Sequence, residues 1–151
     1  MNQIARRDIL RLGATAGLAA SFAADVIASE KTSPIRLGVV GVGNRGTHLL
    51  RLALDAGVEV PALCDIQEDH LHRAIALVES KLGKKPEGYS RGPTDYERMC
   101  ERDDLDAVIC GTGMQSHAAI CQAAMRAGKD VLSEVAAALT LDECWGLVRT
   151  Q

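Results

Sequence analysis

The stretch IRLGVV at 35–40 is apolar and rich in β-branched residues, and it runs directly into Gly41-x-Gly43-x-x-Gly46. The residues after it, from Asn44 to Ala56, carry a helical pattern with Leu49, Leu50 and Ala53 on one side. A buried strand that turns through three spaced glycines into a helix constrains the fold more than any other feature of this chain. Gly41 permits the tight turn, Gly43 lets a backbone approach a pyrophosphate with no side chain between, and Gly46 lets helix and strand pack closely. The first N–H groups of the helix have no intrahelical acceptor and sit at the positive end of its dipole, so an anion is favoured there.

The rest of the chain repeats that alternation. VEVPALC reads as a second strand, with Pro61 marking an irregular or edge position. A helix follows whose stripe is Leu71, Ile75, Val78 and Leu82, closed by Gly83 as Gly57 closes the first helix. A loop with a short strand near Tyr89 leads to a short helix opened by Thr94-x-x-Glu97, a capping-box pattern. LDAVICGT is a further strand, 116–127 a helix stopped by Gly128, DVLSEV a strand, and Thr140-x-x-Glu143 a second capping box opening a last helix. Crossovers of this length between strands demand parallel pairing and right-handed connections. The expected fold is α/β: a doubly wound parallel sheet of Rossmann type spanning 35–151.

Asp65 lies 24 residues after Gly41, at the end of the second strand. An acid there accepts hydrogen bonds from the hydroxyls of an adenosine ribose and repels a 2′-phosphate, which favours NAD over NADP. The same residue also begins Asp65-x-x-Glu68, a helix-capping pattern. Asn44 and Arg45 flank the phosphate position, with a solvated first-turn side chain as the other reading of Arg45. His70 and His72 are two apart on a helix, point to different faces, and read as solvated rather than as a metal site. His48 reads as packed or solvated.

Composition narrows the function classes. A net charge of −3 argues against nucleic-acid and membrane-surface binding, and 3% aromatic residues leave no stacking platform for single strands. The five cysteines are odd in number and have no C-x-x-C spacing, so neither a disulfide framework nor a zinc site is expected.

Ahead of the domain, Arg6 and Arg7 precede a short Gly/Ala-rich apolar run to about Ala24, too short for a stable membrane span. ARRDILRL resembles a twin-arginine export signal, with Ala5, Ile9 and Arg11 at the positions usually held by Ser/Thr, Phe and Lys. The expected organisation is an export signal over 1–28, cleaved after a small-residue site, a polar linker over 29–34 that ends in Pro34, and a periplasmic destination. Without use of the signal the protein would stay cytoplasmic.

Four stretches resemble the Gfo/Idh/MocA oxidoreductases. VVGVGNRG resembles their glycine loop, ALCDIQEDHLHRA their second strand and next helix, and DAVICGTGMQSHAAICQAAMRAGKDVLSE their T-P-N-x-x-H turn with its flanking elements. SEVAAALTLDECWGLV resembles the region of their E-K-P motif. Thr112 and His117 match the first of these motifs, while Gly113 and Met114 replace its Pro and Asn. Glu134 matches the second, while Val135 and Ala136 stand where Lys and Pro belong. The resemblance implies an NAD cofactor held by Gly41, Gly43, Asn44, Arg45, Gly46, Asp65, Thr112, His117 and Glu134. For Thr112 helix capping, for His117 packing and for Glu134 solvation remain the other readings.

The resemblance further implies hydride transfer between nicotinamide and a sugar or polyol. An alternative within the superfamily is an NAD-dependent glycosidase that oxidises the sugar transiently and returns the hydride; another is an inactive nucleotide-binding remnant. A valine cannot relay a proton as the E-K-P lysine does, so no catalytic residue is assigned. Family members carry a second, substrate-binding domain, and the sequence is read as stopping before it. A homo-oligomer is expected.

Overall fold

The computed structural model describes residues 34–151; the leader expected over 1–28 and most of the linker lie outside them. The described chain is a five-stranded parallel sheet with helices on both faces. Its strands are β1 (Arg36–Val40), β2 (Glu59–Cys64), β3 (Glu87–Tyr89), β4 (Ala107–Cys110) and β5 (Asp130–Ser133). Its helices are α1 (Asn44–Asp55), α2 (Glu68–Leu82), α3 (Asp95–Cys100), α4 (His117–Arg126) and α5 (Leu141–Thr150). A single 3₁₀ turn, Met114–Ser116, precedes α4. The strand order is β3-β2-β1-β4-β5. The order reverses beside β1, and that reversal opens a crevice at the carboxyl ends of β1 and β4.

Period-2 alternation along the strands builds two cores. Leu37 and Val39 of β1, with Ala107 and Ile109 of β4, pack with Leu50 and Leu54 of α1 and Leu71, Ala74 and Val78 of α2. Val40, Val108 and Cys110 point the other way, onto Tyr96, Met99 and Cys100 of α3 and Ile120, Cys121 and Ala124 of α4. Gly38 leaves the space that Met99 fills: a Cβ there would stand 2.9 Å from the Met99 Cε. The helix stripes differ in detail from those read off the sequence. On α1 the buried row is Gly46, Leu50, Leu54 at strict i, i+4 spacing. On α2 Ala74 takes a buried place, while Leu82 is 40% exposed in the last turn.

Pro61 sits where the β1–β2 register shifts, with two residues of β2 (Val60 and Pro61) set against one of β1 (Leu37). The extra residue puts Val60 and Leu63, three apart, into the same core. On its other side, pairing with β3 begins only at Ala62, so the missing N–H of Pro61 breaks no ladder there.

Gly57, Gly83 and Gly128 all take left-handed φ at helix ends, as their positions after α1, α2 and α4 require. The two capping-box patterns part company. Thr140 accepts from the Glu143 N–H and Glu143 reaches back to the Thr140 N–H. Thr94 makes no such bond. The Asp95 carboxylate accepts from the Arg91 N–H and from the Arg98 guanidinium instead, tying down the Gly92–Pro93 turn.

Candidate cofactor site

The loops after β1, β2 and β4 enclose a cleft of about 320 Å³ at the strand reversal. Gly41 and Gly43 form one side, and Cys64, Asp65 and Ile66 the second. Gly92, Pro93 and Tyr96 close one end, and Gly111, Thr112, Gly113, Ser116 and Ile120 the other. That volume lies at the lower end of the range for small-molecule and cofactor sites.

The glycine loop owes its shape to contacts no larger residue allows. Gly41 has φ +82°, and a Cβ on it would stand 2.6 Å from Thr112 Cγ2 and 2.7 Å from Thr112 N. Gly46 packs so closely beneath the turn that its Cβ would fall 1.7 Å from the Gly41 carbonyl oxygen. Gly111, at the end of β4, meets the same knot from the opposite side, 2.9 Å from the Gly46 Cα by the same construction. Gly43 differs: a Cβ there would touch only His70, at 3.6 Å. It lines the cleft, and it is the N-cap of α1 with no side chain capping the first turn. The first N–H groups of α1 therefore lack a side-chain acceptor and are free to bind an anion.

Asp65 is buried at the end of β2, and both of its oxygens already accept hydrogen bonds. Oδ2 accepts from the Val42 N–H at 2.7 Å and Oδ1 from the Gln67 N–H at 2.8 Å. The carboxylate thus braces the glycine loop against the start of α2. An ionised carboxylate has about four acceptor sites, so two protein bonds leave capacity for ligand hydroxyls. The helix-capping reading is met in altered form: Asp65 serves Gln67, the N-cap residue of α2, and that residue makes no side-chain cap itself. His70 stands with Nδ1 3.7 Å from Asp65 Oδ2. The sequence pattern placed it in solvent, whereas the structure brings it to the rim.

The other residues expected at the site are distributed differently. Thr112 lines the cleft; its hydroxyl donates to the Gly113 carbonyl and lies 3.5 Å from the Cys110 sulfur, and it caps no helix. Asn44 faces a neighbouring groove with Thr47, Arg51 and Arg73. Arg45 Nε donates to Glu134 Oε1 at 2.7 Å, so these two residues hold each other across the ends of β1 and β5 and neither lines the cleft. His117 is also not in the cleft wall. It is 1% exposed, with Nδ1 2.8 Å from the Ala136 carbonyl oxygen and Nε2 3.0 Å from that of Thr112. Its packing reading therefore describes it better than direct ligand contact.

Ile66, Gly92, Pro93, Tyr96, Gly111 and Ser116 are cleft residues that motif reasoning passed over. The Gly-Pro dipeptide at 92–93 and the glycine directly after the β4 run are the signals that mark two of these places. Two cysteines have an environment the sequence did not disclose. Cys110 and Cys121 are buried in the same core, and their interaction holds the Cys121 thiol down and pushes that of Cys110 up. Among the described residues no group of His, Cys, Asp and Glu is placed to hold a metal ion, and no helix is long and apolar enough to cross a membrane.

A parallel sheet reversing beside β1, a glycine turn opening a helix and an acid closing β2 define a dinucleotide-binding domain, and its residues fit that ligand. The family is shown by comparison. Residues 35–151 match the model of the GFO_IDH_MocA oxidoreductase family, NAD-binding Rossmann fold, and the chain belongs to that family. An α-N-acetylgalactosaminidase of Bacteroides fragilis is 43% identical over 117 residues, covering 77% of this chain and 27% of the relative. A glycosyl hydrolase family 109 protein of Solibacter usitatus is 35% identical over 162 residues, covering 99% of this chain and 37% of the relative. Among solved structures, myo-inositol dehydrogenase from Lactobacillus casei, in complex with NAD(H) and myo-inositol, superposes with a TM-score of 0.68 at 22% identity, over 78% of this chain and 33% of that one. The chain thus spans about a quarter to a third of the length of the proteins it matches.

Proposed function

We propose that this chain is the NAD-holding part of a glycoside-cleaving oxidoreductase, one that oxidises a sugar transiently and returns the hydride before product leaves. The observation that carries this reading is position 135. In the loop after β5, where lysine-assisted dehydrogenases of the family place their proton carrier, this chain has Val135, 85% exposed and without a titratable atom. The 43% identity to the Bacteroides α-N-acetylgalactosaminidase supports the same class, and an N-acetylated hexosaminide is the substrate class it suggests.

When bound, NAD accepts and returns a hydride. The residues of this chain hold and orient it. Gly43 and the first N–H groups of α1 take the pyrophosphate, and Asp65 takes the adenosine ribose hydroxyls. Ile66 and Pro93 offer apolar surface to the adenine. Thr112 bounds the opposite half of the cleft. The Arg45–Glu134 pair links the first turn of α1 to the loop beyond β5 at that half's edge.

Two experiments test the proposal. In the first, the chain is titrated with NAD and NADP. NAD is expected to bind more tightly, and Asp65→Asn to narrow the gap; tighter NADP binding by the wild type would overturn the role of Asp65. In the second, residues 35–151 replace the matching segment of the Bacteroides enzyme. The chimaera is expected to release the aglycone from an aryl α-N-acetylgalactosaminide with no net NADH. Net NADH with free sugars or polyols would make it a dehydrogenase. A folded chimaera that binds NAD yet turns over nothing would leave a binding domain only.

We further propose that residues 1–28 direct export by the twin-arginine route. The alignment to the Solibacter protein extends over 99% of this chain, leader included, which supports a shared N-terminal segment. A reporter fused behind residues 1–33 should reach the periplasm, and Arg6→Lys with Arg7→Lys together should retain it in the cytoplasm.

A further inference from the structure

The loop after β4, which lines the cleft, and the loop after β5, which stands outside that lining, are joined by one side chain. His117, the first residue of α4, is buried behind them. Its Nε2 faces the Thr112 carbonyl in the loop after β4, and its Nδ1 faces the Ala136 carbonyl in the loop after β5. Both partners are acceptors only, so a ring nitrogen bonds its carbonyl only when it carries the N–H, and a neutral imidazole has one N–H for the two; the Nδ1–H tautomer serves Ala136. Glu134 and Val135 lie immediately before Ala136, in the segment that carries the Arg45 ion pair. Apart from strand pairing, which ends where the Glu134 N–H donates to the Cys110 carbonyl, this loop has few ties to the sheet. The Val135–Ala136 peptide is cis. Leu139 and Thr140 next belong to the cap of α5.

Asp65 sets the adenosine half of a dinucleotide at the β2 side of the crevice, which places the other half at the β4–β5 side. We infer that His117 is a positioning residue: through Nδ1 it holds residues 134–138 at the edge of the nicotinamide half of the cleft, and it touches neither ligand nor substrate. This rests on the reading of the cleft as an NAD site.

Two conservative variants separate its two contacts. An asparagine amide stands in for Nδ1 and a glutamine amide for Nε2, so His117→Asn keeps the donor toward Ala136 while His117→Gln keeps the one toward Thr112. The whole chain is titrated with NAD and with ADP-ribose, which lacks the nicotinamide. His117→Gln should bind NAD about five- to tenfold more weakly, the worth of one hydrogen bond, with ADP-ribose unchanged. His117→Asn should restore NAD affinity. Amide hydrogen exchange over 134–138 in the ligand-free chain should quicken in His117→Gln and not in His117→Asn. Equal losses for both ligands, or identical behaviour of the two variants, would overturn the inference and leave His117 a packing residue. Wild-type protein that binds neither ligand would sink the cofactor reading, and the exchange measurement would still decide the clasp.

Discussion

Gly46 and Gly43 belong to one motif, yet a methyl group on each has different consequences. At Gly46 the new carbon would collide with a backbone oxygen that cannot move without unmaking the turn. Gly46→Ala should destabilise the domain by at least the ~1–3 kcal/mol typical of overpacking, read by urea denaturation, and should abolish NAD binding as a result. At Gly43 the carbon would meet only the His70 ring at an ordinary contact distance. Gly43→Ala should therefore melt close to wild type while losing about ten- to a hundredfold in NAD affinity, through lengthened charge-assisted hydrogen bonds. Sequence spacing alone assigns both glycines their roles, because strand, turn and helix leave few ways to place three glycines. Gly111 could not be found that way, since its partner Gly46 lies 65 residues distant. The double acceptance by Asp65 was equally hidden: the acid proposed to meet the ribose is also a loop brace. Asp65→Asn should accordingly lose about 1–3 kcal/mol of stability besides its discrimination, because its amide would face a backbone N–H that needs an acceptor.

At the level of elements, the alternation of strands and helices was legible because each apolar run has its own period and most helix ends carry their glycine. What was not legible is competition between neighbours. Thr94 and Thr140 head the same four-residue pattern, but Asp95, directly after Thr94, captures the Arg91 N–H and the Arg98 guanidinium, and no cap forms. An ion pair also fastens β1 to the entrance of β4. Arg36 donates to both oxygens of Asp106 from its side chain and to one from its backbone N–H. The guanidinium bond first, then the backbone bond, hold the Asp106 carboxyl down to about 2. An unfolded aspartate titrates near 3.9. The native state thus binds fewer protons than the unfolded chain in between. This contribution is complete above about pH 4 and is lost as pH falls toward 2. Urea midpoints measured over that interval should fall with acid, and Asp106→Asn should flatten the slope; an unchanged slope would count against the pairing.

Across the whole molecule, burial is uneven, and cysteine chemistry offers a direct reading of it. Cys64, Cys100, Cys110 and Cys121 are buried, and Cys144 alone is exposed. Burial pushes the Cys64 thiol up to about 12 and that of Cys100 up to about 11. A chromogenic disulfide reagent should titrate Cys144 quickly in the native protein and the other four only on unfolding. A second fast thiol would show that the α4 side opens readily. The described residues also expose an apolar row on α5, Leu141, Trp145 and Val148, and they expose Leu132 on β5. The Trp145 indole should be quenched by acrylamide as a solvent-facing ring. No periodicity rule separates an amphipathic helix facing inward from one facing outward, which is why the sequence left this surface unread.

The position of β1 bears on how the protein is made. It is the first strand of the domain to leave the ribosome and the central one in the finished sheet, flanked by β2 and β4. Its bond to Asp106 spans 70 residues. At roughly 5–20 residues per second that is on the order of 4–14 s during which Leu37, Val39 and Val40 have emerged without one of their two neighbours. A nascent chain in that interval is a natural client for a holding chaperone, and slower translation of the 41–106 segment would lengthen its dependence on one.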